Sequence, residues 1–410
     1  MPITGCSKRS VCEQYRVRKM SPSAINERMA QRLDSLRAQS QLRTLDTPAG
    51  INLNSNDYLG LATDPRLKQA VLDAVVQTTT VGSTGSRLLS GNSHEWEEAE
   101  SEFADFAGTE AALYFGSGYA ANLGLLTSIL KPRDIVFSDA RNHASLIDGI
   151  RLSGAAKVIY PHRDLSFLED ALRENSGVGG SKVIVSETVF SMEGDIAPIT
   201  DLLRLARTYG AAVVLDEAHA TGVLGPHGRG IAAQHACEGE ILAIVHTCGK
   251  ALASAGAFVC GGKTLKEYLV NCARTFIFST AMPPYFARHI QAALALARQE
   301  DAARAHLREI ASLLREDLAA RGFDCGTSAT HIVPVMLGSN EMALHVASEV
   351  QRCGFAVRAI RPPTVPVGSA RVRFSLTSRL SLDDLRRLAQ AMDAACKSLP
   401  IARAASAVHA

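Results

Sequence analysis

The stretch that most restricts how this 410-residue chain can fold runs from Ala211 to Lys250. It opens with five small or apolar residues, Ala211 to Leu215, followed by Asp216, His219 and a series of glycines. The apolar segment is too short for a helix and rich in Val, and its polar groups arrive only at the carboxyl end. A buried parallel strand that ends at a working surface has this pattern. A second apolar run, Ile241–Val245, ends in His-Thr-Cys-Gly-Lys. Two strands therefore carry Asp216, His219, Thr247 and Lys250 toward one crevice. Taken alone, the stretch reads by default as a strand whose last aspartate caps a loop, and the rest of the chain must overturn that reading.

An acid, an imidazole, a hydroxyl and an amine gathered in this way suit a pyridoxal phosphate (PLP) site. The amine forms a Schiff base with the aldehyde, and the acid keeps the pyridine nitrogen protonated. Two other motifs compete here. Asp216-Glu217-Ala218-His219 spells a helicase DEAH box, and Gly261-Gly262-Lys263-Thr264 imitates the end of a P-loop. A P-loop needs four residues between its first glycine and the Gly-Lys pair. Gly256 misses that place by one, Ala257 holds it, and the phosphate loop would follow the acidic box instead of preceding it. A nucleotide-hydrolysing reading is set aside.

Composition excludes several classes. With 47% hydrophobic and 20% charged residues and a net charge of +2, the chain has no electrostatic case for nucleic acid or an anionic membrane. No apolar run reaches the ~18 residues of a membrane span. The nine cysteines are scattered and never form C-x-x-C, which fits free thiols in a reducing cytoplasm and no metal site. The first twenty residues carry Lys8, Arg9, Arg16, Arg18 and Lys19 without an apolar core, so they are no secretory signal. A disordered basic extension over 1–22, or a true start at Met20, is expected there.

Along the chain, Ser23 to Arg43 has helical spacing, a short strand follows Gly50, and Pro65 to Val76 is again helical. The glycine-rich VGSTGSRLLSGNS reads as a polar loop before a helix over Trp96–Phe106. A strand, Ala111–Phe115, leads into Gly116-Ser117-Gly118-Tyr119-Ala120-Ala121. This glycine turn opens a helix whose free amides can hold a phosphate, of a dinucleotide or of PLP. The dinucleotide reading needs an acid ending the next strand, yet Asp134 precedes the apolar residues Ile135–Phe137 and Asp139 begins a polar loop.

Strands at Ile135–Phe137, Lys157–Tyr160, Val183–Ser186 and Ala211–Leu215 then alternate with helices at Ala144–Ser153, Ser166–Arg173 and Ile199–Tyr209. This rhythm predicts an α/β domain with a mainly parallel sheet covered on both faces, and ligands outside the carboxyl ends of its strands. Ala257–Val259 adds a strand, and a long helix, roughly Tyr285 to Gln299, is expected to continue into the charged helical stretch through Arg321. Strands at Ile332–Leu337, Ala356–Ile360 and Val372–Leu376, with helices at Asn340–Arg352 and Leu382–Lys397, predict a smaller α+β domain. The expected divisions are an N-terminal helix and strand segment (23–65), a large domain (66–297), a small domain (298–400) and a tail (401–410).

Nine segments then match one family in order: SNDYLGL (55–61), GSRLLSGNSHEWEEAE (85–100), SGYAAN (117–122), NHASLIDG (142–149), ETVFSMEGDIAP (187–198), LDEAHATGVLGPHGRG (215–230), TCGKAL (247–252), FIFSTAMPP (276–284) and AIRPPTVPVGSARVR (359–373). Together they resemble the α-oxoamine synthases, fold-type I PLP-dependent transferases. The resemblance implies that Lys250 carries the cofactor and moves the substrate's α-proton. It implies further that Asp216 holds the pyridine proton, His219 bonds the ring hydroxylate, and His143 stacks on the ring beside Glu187 and Ser191. The amides of Gly118 and Tyr119 and the Thr247 hydroxyl would hold the phosphate. Ser279 and Thr280 would reach the cofactor of a neighbouring subunit in a homodimer with a shared active site. Arg373, a two-pronged donor, is implied for the amino-acid carboxylate with Asn56 nearby. Arg43, Arg361 and Thr364 are implied for the far end of the acyl chain or for CoA.

The AIRPPTVP string favours the branch acting in biotin biosynthesis. That branch condenses L-alanine with pimeloyl-CoA, or pimeloyl-carrier protein, giving 8-amino-7-oxononanoate, CoA and CO₂. A synthase using glycine or serine with another thioester stays open, as does a non-catalytic PLP-fold binding subunit, against which Lys250, Thr247 and Asp216 speak. Three residues depart from the family pattern: His246, Ala253 and Thr84 stand where relatives often have Gly, and each is expected to add bulk near the phosphate or substrate approach. Cys248, beside the lysine, is expected to be a passive small residue.

Overall fold

The computed structural model describes residues 22–177 and 179–397. The readings for 1–21, most of the basic extension, and for the tail lie outside the described residues. Seven strands form the central sheet in the order Ala111–Phe115, Ala257–Gly261, Ala243–Thr247, Ala211–Asp216, Lys182–Glu187, Ile135–Asp139, Ala156–Tyr160. Only Ala257–Gly261 runs antiparallel to its neighbours. The opening strand therefore lies at the centre. Successive residues face different cores: Val213 and Leu215 pack with Phe137, Phe190 and Phe258, whereas Val214 packs with Val185, Leu125 and Val245. Both faces are covered, which is why this strand is apolar at every position and not at alternate ones. Each such buried side chain contributes about 1.5–3 kcal/mol relative to exposure.

Local signals fix the flanking helices. Pro65–Gln77 begins where the Asp64 side chain accepts from the Arg66 amide, with Pro in the first turn. Ile199–Tyr209 buries Ile199, Leu202, Leu203, Leu205 and Ala206 along one face and stops at Gly210, whose φ is +62°. The first helix ends at Ala38, short of the expected Arg43, and Ser40 turns the chain with φ +54°.

Several elements differ from expectation. The expected Tyr285–Gln299 helix spans Pro284–Gln299, but it does not continue: Glu300 (φ −87°, ψ 40°) interrupts it before a second helix, Asp301–Ala320. Helical periodicity persists through that break, so sequence pattern alone could not register it. The GGKT imitation of a P-loop is the start of an unforeseen helix, Lys263–Cys272, with Gly262 at its cap. Ile241 precedes its strand, which spans Ala243–Thr247. The expected Ala356–Ile360 strand divides in two: Phe355–Ala356 pairs in parallel with Ile51–Asn52, and Ala359–Ile360 joins an antiparallel sheet with Ala370–Ser375 and Ile332–Gly338. Within the glycine-rich loop, Arg87–Gly91 forms a π-helical turn. No described helix is long and apolar enough to cross a membrane.

The loop after Lys182–Glu187, residues 191–195, joins the two larger sheets. Arg373 Nη1 donates to the Ser191 carbonyl (2.9 Å), and Arg371 Nη1 to the Met192 carbonyl (3.1 Å) and Glu193 (3.2 Å). The Thr330 hydroxyl donates to the Gly194 carbonyl (2.8 Å), and Thr327 to Asp195 (2.8 Å). Gly194 has φ +70°, and a Cβ there would lie 2.0 Å from the Ile332 carbonyl oxygen, so only glycine fits. His162 completes the joint. Its two ring nitrogens lie 2.9 Å from Asp139 and 3.0 Å from Asp195.

A ring bonded to a carboxylate on each side is held protonated. Burial works against the charge, but hydrogen bonds to Asp139 and Asp195 outweigh it and raise the His162 pKa from 6.5 to about 9. A raised pKa gives stability that is fully present below pH 6.5 and lost as pH rises through about 9. Urea unfolding should therefore show wild type losing about 2 kcal/mol between pH 7 and 10 that a His162→Leu variant does not lose, measured as the difference between their pH profiles.

Candidate active site

The carboxyl ends of the parallel strands supply the site. Register places Glu187 beside Asp216, and Asp216 beside Val245 two residues before Thr247. Asp216, Glu187, His143, His219, Thr247 and Lys250 line one cavity of about 450 Å³, together with the Gly116–Tyr119 turn. Residues distant in the chain thus meet as expected, and the acid and the amine share one compartment.

Asp216 is buried and fully engaged. Asn122 Nδ2 donates to its Oδ2 (2.7 Å), and the Ala218 amide donates to its Oδ1 (2.8 Å). The second Asn122 N–H goes to the Ser145 hydroxyl (2.9 Å), which lies 2.8 Å from His143 Nδ1. The Ser145 amide also donates to that nitrogen (3.2 Å), so His143 caps the Ala144–Ser153 helix with its own ring. Burial lowers the His143 pKa and Lys250 adds to this, against the pull of Asp216. Glu187 goes the other way: burial, then the neighbouring Asp216 charge, raise its pKa well above the usual carboxylate range. Its Oε1 is buried without a partner among the described residues.

Lys250 Nζ lies 2.7 Å from His219 Nε2. Burial lowers its pKa to about 8, opposed by Asp216 and Glu187 and aided by Arg373. His219 is pushed well below 6.5 by burial, then by the Lys250 and Arg373 cations. Its Nδ1 is 2.6 Å from the Tyr58 hydroxyl, which donates to Asn56 Oδ1 (3.0 Å). Arg373 Nη2 donates to the same oxygen (2.7 Å). Arg373 and Asn56 thus meet each other and connect to the cavity through Tyr58 and His219. His331 packs edge-on to Tyr58 (4.0 Å between centroids), and burial with the Arg373 charge lowers its pKa to about 3.

The remaining expected residues are distributed as follows. The Thr247 hydroxyl bonds the Ala218 carbonyl (3.3 Å) at the cavity wall. Ser191 meets Arg373 through its backbone carbonyl. Ser279 and Thr280 line an adjoining cavity of about 260 Å³ that shares Gly116 and Ser117 with the first. Arg43, Arg361 and Thr364 line a separate groove of about 780 Å³. There Arg43 bonds Thr364 (3.1 Å), and Arg361 bonds the Ser40 carbonyl. Arg358, which the sequence reading passed over, shares the groove and bonds Asp46 (3.0 Å).

The departures from the family pattern also resolve. His246 adds no bulk to the site: it points to the other face of its strand, buried against Phe103 and Phe106, and bonds the Thr221 hydroxyl (2.9 Å). Burial lowers its pKa to about 3. Thr84 and Ala253 keep the backbone glycine would adopt, with φ +52° and +45°. Cys248 is buried and its thiol is pushed up by burial, a passive residue in this protein.

Three features fit pyridoxal phosphate. A Cβ on Gly118 would lie 2.7 Å from the Thr247 methyl, so strand end and helix start form a cradle open only to a residue without a side chain. Ser117 caps the Gly118–Ile129 helix (Ala120 amide, 3.0 Å), leaving the first-turn amides for a phosphate. Glu187 Oε1 and Asn122 Oδ1 are buried polar atoms at the cavity wall without partners among the described residues. Among the described residues no group of His, Cys, Asp and Glu could hold a metal ion.

Comparison with known proteins agrees. Residues 48–392 match the model of the class I and II aminotransferase family. The 8-amino-7-oxononanoate synthase of Geobacter sulfurreducens is 43% identical over 388 residues, covering 91% of this chain and 99% of that protein. A serine palmitoyltransferase of S. paucimobilis, solved with PLP and myriocin bound, superposes with a TM-score of 0.84 at 28% identity, covering 92% of this chain and 98% of that one. The crystal structure of 8-amino-7-oxononanoate synthase from Francisella tularensis gives 0.74 at 29% identity, over 85% and 98%. The fold is that of the fold-type I PLP-dependent transferases.

The lysine makes this arrangement measurable without substrate. In the cofactor-free chain, competitive acetylation of Lys250 should have its midpoint near pH 8. Asp216→Asn removes the charge that raises this pKa, so its midpoint should fall further. An unchanged or higher midpoint would contradict the electrostatics described.

Proposed function

We propose, for a chain that belongs to the α-oxoamine synthases of the class I and II aminotransferase family, that it makes 8-amino-7-oxononanoate for biotin biosynthesis from L-alanine and a pimeloyl thioester. The observation that carries the proposal is the shared cavity of Lys250, Asp216, His219 and His143, in a chain so similar to the Geobacter synthase. Bound pyridoxal phosphate supplies an electrophilic aldehyde and an electron sink.

The residues divide the work. The Lys250 amine, poised near pH 8, attaches the cofactor and then takes and returns the proton at the α-carbon. Asp216, fixed by Asn122 and the Ala218 amide, holds the proton on the ring nitrogen. His219 would hydrogen-bond the ring hydroxylate, and His143 would cover the ring face. The first-turn amides at Gly118 and Tyr119, with Thr247, take the phosphate. Burial and the Asp216 charge raise the Glu187 pKa well above the usual carboxylate range, which disfavours a second negative charge beside Asp216. Arg373, held by Asn56 and the Ser191 carbonyl, receives the amino-acid carboxylate. The arginine-lined groove of Arg43, Arg358 and Arg361 receives the anionic part of the thioester. A second copy of the chain completes the site. Support for this comes from Ser279 and Thr280 in the adjoining cavity and from Leu89 and Phe278, which stand exposed nearby at 86% and 70%.

The likeness to serine palmitoyltransferase favours one second reading, a synthase that uses serine and a longer acyl chain. Alanine, glycine and serine assayed against pimeloyl-, acetyl-, succinyl- and palmitoyl-CoA separate the two. Mass spectrometry should find 8-amino-7-oxononanoate from alanine with pimeloyl-CoA, and preference for another pair would overturn the assignment. Lys250→Ala should lose the visible cofactor band and at least roughly 10³-fold in turnover.

A further inference from the structure

Asn122 has both of its amide hydrogens in use, and each serves a different part of the site. One goes to Asp216 Oδ2 (2.7 Å), the other to the Ser145 hydroxyl (2.9 Å). A carboxylate can only accept, so Asp216 dictates which way the carboxamide faces. That orientation leaves Asn122 Oδ1 buried without a partner among the described residues, so it is not set by the needs of that oxygen. The next link follows from the first. Ser145 Oγ accepts from Asn122 and lies 2.8 Å from His143 Nδ1, to which it can turn its own proton. The Ser145 amide donates to the same nitrogen (3.2 Å), and a backbone N–H requires a lone pair there. Burial, against the pull of the Asp216 charge, lowers the His143 pKa and keeps the ring neutral at pH 7. Its single proton then lies on Nε2.

We propose that Asn122 is a positioning residue that couples Asp216 to His143, holding Nδ1 of His143 as an acceptor and leaving Nε2–H as the free donor of that ring. Asn122 suits the task because it is buried and stands one turn beyond Gly118 on the helix whose start lines the cavity. Ser145 and Gly149 lie one turn apart on the facing helix. A Cβ on Gly149 would lie 3.2 Å from the Asn122 carbonyl oxygen and 3.0 Å from Leu126 Cβ, so glycine lets the two helices approach until Asn122 reaches Ser145. Every bond in the series joins groups of the chain itself, and Lys250 takes no part in it. The proposal rests on the reading of Asp216 as partner of the cofactor's ring nitrogen, and not on which amino acid or thioester reacts.

The test reads two nitrogens in the holoenzyme without substrate. The protein carries ring-¹⁵N histidine and pyridoxal phosphate labelled at its ring nitrogen, and the His143 signals are identified by their loss in His143→Asn. Wild type at neutral pH should show His143 protonated at Nε2 alone. Ser145→Ala removes the hydroxyl donor, so the Nδ1 signal should move toward that of an unbonded lone pair. The His143 pKa should rise by about 0.5–1 pH unit, the weight of one hydrogen bond to the neutral ring, while the cofactor signal stays nearly in place. Asn122→Ala should move both signals, because one amide serves both partners. A wild-type His143 protonated at Nδ1 overturns the proposal, as does a folded Asn122→Ala protein in which the cofactor signal moves and His143 does not. A Ser145→Ala protein whose cofactor signal moves as far as that of Asn122→Ala indicates general loosening and overturns it too. Asn122→Ser, with one hydroxyl hydrogen, can serve only one partner and stands in if the alanine variant does not fold; both signals unmoved there would end the idea. Asp216→Asn checks the underlying reading separately, since a cofactor signal indifferent to it would show that Asp216 is not the partner of the ring nitrogen.

Discussion

Two carboxylates in register, Glu187 and Asp216, end neighbouring parallel strands inside a buried cavity, and the chemistry of the site follows from how that conflict is resolved. Burial and a like charge so close push a carboxyl toward its protonated form. Asp216 takes two N–H bonds, whereas Glu187 has an oxygen with no partner among the described residues and a pKa raised well above the usual carboxylate range. Asp216, then Glu187, oppose the fall of the Lys250 pKa, which burial still takes down to about 8, and a carboxylate at Asp216 is what a pyridinium needs opposite its nitrogen. Asn122, with one amide hydrogen for Asp216 and the other for Ser145, carries the same order on to His143.

Much of this was legible in the chain. Ala211–Leu215 read as a buried parallel strand because both its faces are covered, which leaves no polar alternation to confuse the pattern. Asp216, His219, Thr247 and Lys250 were found together because parallel strands deliver their last residues to one edge. The helices Ala144–Ser153, Ile199–Tyr209, Asn340–Arg352 and Leu382–Lys397 have the expected bounds, set by periodicity and by caps. What failed to show was whatever depends on a partner far away in sequence. The Glu300 break lies within uninterrupted helical periodicity, and the division of 355–360 arises because two different strands claim its ends.

The same limit governed the site. Tyr58 and Asn122 lay inside motifs already singled out, but their roles are hydrogen bonds to His219 and Asp216, which no local pattern encodes. His246 was placed near the phosphate by sequence adjacency to Thr247. The strand's alternation sends it instead to the opposite face, among Phe103 and Phe106. A period-two argument applied to Ala243–Thr247 would have found this from the sequence. Thr84 and Ala253 show the converse: their side chains differ from glycine, and the backbone stays where glycine would put it.

The joint at residues 191–195 bears on how the molecule comes apart. Arg371, Arg373, Thr327 and Thr330 hold successive positions of this loop, while Arg141 and His162 hold it from the side of the central sheet. Neither sheet can melt without stripping buried partners from the other, and exposing those unpaired groups costs more than the loop itself contributes. The two sheets are thereby bound into one cooperative unit. An opening that runs through this joint strips bonds from both sheets at once, whereas a fraying of the cavity rim leaves them in place.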